Sequence, residues 1–99
     1  MKLITIYFNI AISDEILEIL TATGAKSYTQ IPRVVGVGTV TGPRFDSHTW
    51  PGANSAIQTV VDEDTATNLM TELQKLRDSG LGKHAGIFAI QSPVEKTLI

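Results

Sequence analysis

The chain contains no cysteine. That excludes disulfides and thiolate metal sites, and it is neutral on compartment. Charge is also scarce. Eight Lys and Arg stand against ten Asp and Glu, for a net charge of −2, and no basic run occurs. This speaks against nucleic acid as a main partner. No stretch reaches the roughly 20 consecutive apolar residues of a membrane span, so direct membrane insertion is not expected. The opening MKLITIYFNIAISDE has one Lys and an apolar run. It lacks the small-residue cleavage pattern of a secretory signal and alternates like a strand. Catalytic constellations are missing too. There is no Gly-x-Ser-x-Gly elbow, no cysteine nucleophile and no paired histidine with carboxylates, so the chain does not read as an enzyme. A soluble, cytoplasmic protein is the expectation.

What is present makes a core. The 99 residues are 42% hydrophobic and 18% charged, which predicts one folded domain over residues 1–99 with a sparsely charged surface. Such a surface favours burial against a partner subunit. Lys2 to Phe8 alternates, with Ile4, Ile6 and Phe8 on one face, and predicts a strand. Ser13 reads as a helix N-cap, with Asp14 and Glu15 in the first turn, where the helix dipole favours acids. Ile16, Leu17 and Leu20 share a face, and Gly24 supplies the stop. Lys26 to Val37 is extended, and Pro32 within it demands an edge strand or a bulge. Ser55 to Val61 is the third strand. Asp62 then caps a second helix, whose stripe is Ala66, Leu69, Met70, Leu73 and Leu76. Gly86 to Gln91 is apolar on both faces, as in a buried strand, and Pro93 breaks it.

Gly36 to Asn54, GVGTVTGPRFDSHTWPGAN, fits none of this. It holds four of the eight glycines, two of the four prolines and the only tryptophan, Trp50. It shows neither helical nor strand periodicity. A long irregular insert in a compact domain is usually functional, and its Phe45, Arg44, His48 and Trp50 are too rich for a Gly/Ser linker. It reads as a binding loop. Asn54 at its end suits either a ligand amide or the loop's own backbone. Gly36, Gly38 and Gly42 give GxGxxxG. This is not the dinucleotide fingerprint, because no helix follows. The glycines permit either a sharp strand exit or close backbone approach to a ligand.

The order β-α-β-β-α-β is the ferredoxin-like α+β arrangement. Its helices cover one sheet face, and no segment remains to cover the other. Association of sheet faces between subunits is the simplest solution.

The order of elements and several residues resemble the PII nitrogen-regulatory signalling family and its PII-like relatives, over nearly the whole chain. Gly24-Ala-Lys sits at the family's turn from first helix to second strand. Val35-Gly-Val-Gly38 resembles the opening of its long T-loop. Val60 to Asp64, VVDED, resembles its strand-to-helix turn. Ser79-Gly80 followed by Gly86-Ile87-Phe88 resembles its B-loop. The resemblance implies a homotrimer built on a ferredoxin-like sandwich, with sheets packed around a threefold axis. It also implies ligand clefts between subunits, commonly for ATP, ADP or 2-oxoglutarate, and a protein target such as an enzyme or transporter. Ligand contacts are then expected from Gly36, Val37, Gly38 and Thr39 on one side and Ser79, Gly80 and Lys83 on the other, with Arg44 nearby. The chain departs from the family at four cationic positions, occupied here by Thr39, Gly86, Thr97 and Ile99. A triphosphate needs charge-assisted donors. The ligand, nucleotide-like or another small anion, is therefore expected to carry one or two charges.

Two further functions fit the sequence. His48, multiplied by three in a trimer, resembles the metal use of the CutA proteins, which share the trimeric fold. Alternatively, the trimer is a scaffold whose loop contacts other proteins.

Overall fold

A computed structural model describes residues 1–38, 42–44, 53–79 and 86–99. Strand β1 runs from Lys2–Asn9 and helix α1 from Ser13–Thr23. Strand β2 is Thr29–Val34, and short strands β3 and β4 are Gly36–Gly38 and Gly42–Arg44. Strand β5 is Asn54–Val61, helix α2 is Glu63–Asp78 and strand β6 is Phe88–Pro93. The main sheet has the order β2-β5-β1-β6, and every neighbouring pair is antiparallel. Two βαβ units interleaved in this way give the ferredoxin-like fold that the periodicities predict.

Alternation along the strands sorts the two faces. Ile4, Ile6 and Phe8 of β1, with Ile57 and Val61 of β5, are buried beneath Ile16 and Leu20 of α1 and Ala66, Leu69 and Leu73 of α2. Each fully buried Leu, Ile or Phe stabilises the fold by about 1.5–3 kcal/mol. The opposite face carries no helix. Ile31 is 44% exposed, Phe88 59% and Ile90 45%. Tyr7 stacks on Phe88 across the β1–β6 ladder, with centroids 6.0 Å apart at 17°.

Helix ends follow local chemistry. Gly24 takes a left-handed φ of 92°, which lets Ala25 N–H reach Leu20 O at 2.9 Å and Gly24 N–H reach Thr21 O at 3.3 Å. This is a Schellman cap, closed by a glycine because other residues resist that backbone. Asp62 accepts from Thr65 N–H at 2.7 Å and starts α2, as expected. The start of α1 differs from expectation. Ile10–Ile12 forms a 3-10 turn, and Asn9 caps it by accepting from Ala11 N–H at 2.9 Å. Ser13 is already helical, and its hydroxyl donates back to Ile10 O instead of capping. The last strand also differs. It extends through Pro93, which pairs with Lys2, and it lies at a sheet edge with both Phe88 and Ile90 exposed. Pro93 is tolerated there because an edge position need not donate to a ladder.

Candidate functional site

The site begins at the edge strand β2. Its ladder with β5 shifts register between Ile31 and Val34, so Pro32 has both the edge position and the bulge that its missing N–H requires. Side chains stitch this irregular strand down. Gln30 Nε2 donates to Ser55 Oγ at 3.1 Å, Ser55 Oγ donates to Ile31 O at 3.0 Å, and Thr59 Oγ1 donates to Ser27 O at 2.7 Å. The ladder resumes at Val34, opposite Asn54, and Asn54 also pairs with Asn9 of β1. Ile10 N–H donates to Ala53 O at 3.0 Å. The two ends of the irregular segment are thus held side by side, one on the edge strand β2 and the other on the central strand β5.

Within that segment the chain is more regular than its composition suggests. β3 and β4 form an antiparallel ribbon with Gly36 opposite Arg44, Val37 opposite Pro43 and Gly38 opposite Gly42. The register places Arg44 directly opposite Gly36. The expectation of no strand structure here is corrected. Backbone pairing defines the ribbon, and glycine and proline leave no side-chain alternation to read. Gly36 does not adopt a left-handed φ, and a Cβ added there would meet nothing within 4 Å. A sharp exit from the strand is thus not what requires glycine at 36. Among the described residues none fills the space above it.

The second half of the predicted site starts at the end of α2. Ser79 N–H donates to Lys75 O and Leu76 O, both at 3.1 Å, and its hydroxyl donates to Leu76 O at 2.6 Å. The chain re-enters through Gly86, whose φ is 61°, and the buried Ile87, then begins β6 opposite Tyr7. Thr39, Gly80, Lys83, His48 and Trp50 lie outside the described residues. Both halves emerge at the end of the sheet marked by Asn9 and Asn54. They do so at opposite edges, because β5 and β1 separate β2 from β6. Three strand spacings of about 4.8 Å put the two edges roughly 14 Å apart. The structure brings Gly36, Val37, Gly38 and Arg44 together on one ribbon, and leaves Ser79 with the other half.

Sequence reasoning missed Asn9, which is 3% exposed at the end of β1. A lone Asn where a strand meets a turn was the available signal. Beside it, Asn54 Oδ1 is buried and accepts no hydrogen bond among the described residues. Two surface depressions, about 560 and 310 Å³, lie on the helices, around Glu18 and Thr21 and around Thr71 and Lys75. Neither adjoins the ribbon. Among the described residues no three His, Asp or Glu cluster as a metal site, and no helix is long and apolar enough to cross a membrane.

The family model described as nitrogen regulatory protein P-II matches residues 1–97. A comparison with curated proteins returned no match. Among solved structures, the fold is similar to CPII, a nitrogen regulatory PII-like protein from Thiomonas intermedia K12, bound to ADP, AMP and bicarbonate. The identity is 20% and the TM-score 0.73, covering 96% of this chain and 88% of that one. The apo form of the same protein matches at 19% identity and TM-score 0.67, covering 94% and 89%. A putative PII-like signaling protein from Thermus thermophilus matches at 25% identity and TM-score 0.66, covering 92% and 83%.

Proposed function

The chain belongs to the nitrogen regulatory protein P-II family, and from that premise we propose that it is a cytoplasmic PII-like regulator, without catalysis of its own. In this reading one domain assembles as a homotrimer, senses a small anion in clefts between subunits, and signals through its loop to a target protein. The observation that carries the reading is the position of the two half-sites. They share one end of the sheet but sit at opposite edges, so one chain supplies half a cleft and a neighbour the other half. The uncovered apolar face gives the reason to assemble.

The ligand is a mono- or dianion. Arg44 is the cation nearest the glycine edge by register, and the four positions where the family carries cations are uncharged here. Backbone N–H groups on an open glycine edge bind oxygen atoms without side-chain bulk. AMP and bicarbonate, held by the Thiomonas protein, match that charge better than ATP does. Ordering the Gly36–Gly38 anchor restricts which loop conformers are allowed, and the target reads the loop.

Isothermal titration with AMP, ADP, ATP, bicarbonate and 2-oxoglutarate tests this, with Trp50 emission followed in parallel. Saturable binding of a low-charge ligand, weakened in Gly38→Val and accompanied by an emission change, is expected. Tightest binding by ATP would overturn the charge argument. Unchanged affinity in a folded Gly38→Val would remove the glycine edge from the site.

A further inference from the structure

The open sheet face is apolar but has a polar centre. Leu3 and Tyr7 of β1 and Ala56 and Val60 of β5 lie on it, and between them Thr5 and Gln58 are directly paired. Gln58 Nε2 lies 3.5 Å from Thr5 Oγ1, long for a hydrogen bond. Thr5 is only 9% exposed, while Gln58 is open to solvent. If this face packs against another molecule, both groups leave water. Each unpaired polar atom would then cost the assembly free energy.

Their capacities decide what can satisfy them. A glutamine amide carries one acceptor oxygen and two N–H donors, and a threonine hydroxyl donates once as well as accepting. When Gln58 donates to Thr5, the pair keeps a donor on Thr5 Oγ, an acceptor on Gln58 Oε1 and the second Gln58 N–H. A second copy of this chain, related by rotation, presents the same two groups in the same order. An unrelated apolar surface would leave both unpaired. We propose that Thr5 and Gln58 set the register of the interface between copies of this chain: Thr5 Oγ of one copy donates to Gln58 Oε1 of the next, closing a ring around the symmetry axis. This rests on the trimeric reading above. In a cyclic, head-to-tail arrangement of identical copies every Thr5 hydroxyl donor and every Gln58 Oε1 acceptor is paired, with only the second Gln58 N–H left over. A polar group in an apolar interface is a recognised means of fixing register at some cost in stability.

The test compares wild type with Thr5→Val, Gln58→Leu, the double variant and Thr5→Ser. Dilution series by sedimentation velocity give the dissociation midpoint, and native mass spectrometry gives the distribution of oligomers. Each single apolar variant strands one partner, and is expected to raise the midpoint concentration about tenfold or more. The double variant removes both partners. It should return to within about threefold of wild type while populating more than one oligomer size. Thr5→Ser keeps the hydroxyl and should behave as wild type, which separates the hydrogen bond from a general disturbance of β1. A trimeric wild type whose single variants dissociate unchanged, or a double variant whose losses simply add, would overturn the registration role and leave the trimer standing. A wild type that stays monomeric at every concentration would overturn both.

Discussion

Truncating Phe88 to alanine separates interface burial from intrachain packing. Phe88 is 59% exposed on the uncovered face. An aromatic side chain presents roughly 200 Å², so about 120 Å² remains for a partner to cover. At about 25 cal/mol per Å² this is about 3 kcal/mol per chain, and about 9 kcal/mol for three. Tenfold per 1.4 kcal/mol makes that about a million-fold in the monomer–trimer dissociation constant. That constant scales as concentration squared, so the midpoint concentration should rise by up to about a thousand-fold. Within one chain the part already covered, about 80 Å² including the stack on Tyr7 at 6.0 Å, is lost, which is about 2–3 kcal/mol. Sedimentation equilibrium measures the first effect, and denaturant unfolding at a concentration where the variant is monomeric measures the second. A midpoint that moves less than about tenfold, or a loss of monomer stability well beyond about 3 kcal/mol, would refute the reasoning.

Gly36→Ala should leave unfolding free energy within about 0.5 kcal/mol of wild type, since the new methyl meets nothing within 4 Å and the backbone is not left-handed. Its ligand affinity should fall, and parallel denaturation and titration would show whether the two properties separate; unchanged affinity removes Gly36 from the site. Asp62 should make folding acid-sensitive. The Thr65 backbone N–H holds its carboxyl below the usual 3.8. A depressed folded pKa contributes stability above the unfolded value, and that contribution is lost as pH falls through the folded one. Asp62→Asn keeps an oxygen acceptor without ionising, so its unfolding midpoint should fall less than that of wild type between about pH 4 and pH 2; parallel pH profiles would remove the cap from the account.

The helices were legible because their signals are local. Gly24 and Asp62 mark helix ends by their own backbone and side-chain chemistry, and Leu69 and Leu73 repeat at helical spacing. Pro32 was legible as a constraint, and the structure met it with both an edge and a bulge. Ser13 misled because two residues competed for one role: Asn9 capped a 3-10 turn first and moved the helix start. β6 misled for a different reason. Phe88 and Ile90 on the open face, with Ile87 and Ala89 on the other, make it apolar on both faces, which in sequence looks the same as a strand buried within its own chain. The glycine edge was legible as a candidate. Its pairing with Arg44, and the separation of the half-sites by two strands, were not, because both arise from non-local register and strand order.

That separation has a thermodynamic consequence for the proposed sensor. A ligand touching the Gly36–Gly38 ribbon of one copy and the Ser79 side of another binds the assembly and not the isolated chain. By linkage it must stabilise the trimer, by an amount that grows with ligand concentration above its dissociation constant. Apparent affinity should then rise with protein concentration until assembly is complete. Phe88→Ala, which lies on the assembly face and not on the glycine ribbon, should weaken ligand binding through dissociation alone, and raising its concentration should restore the wild-type affinity. A site contained within one chain would behave otherwise, with affinity independent of protein concentration and unaffected at position 88. In the proposed sensor the uncovered face and the divided site are therefore two aspects of one arrangement: apolar burial would assemble the cleft, and a ligand in the cleft would bias the assembly.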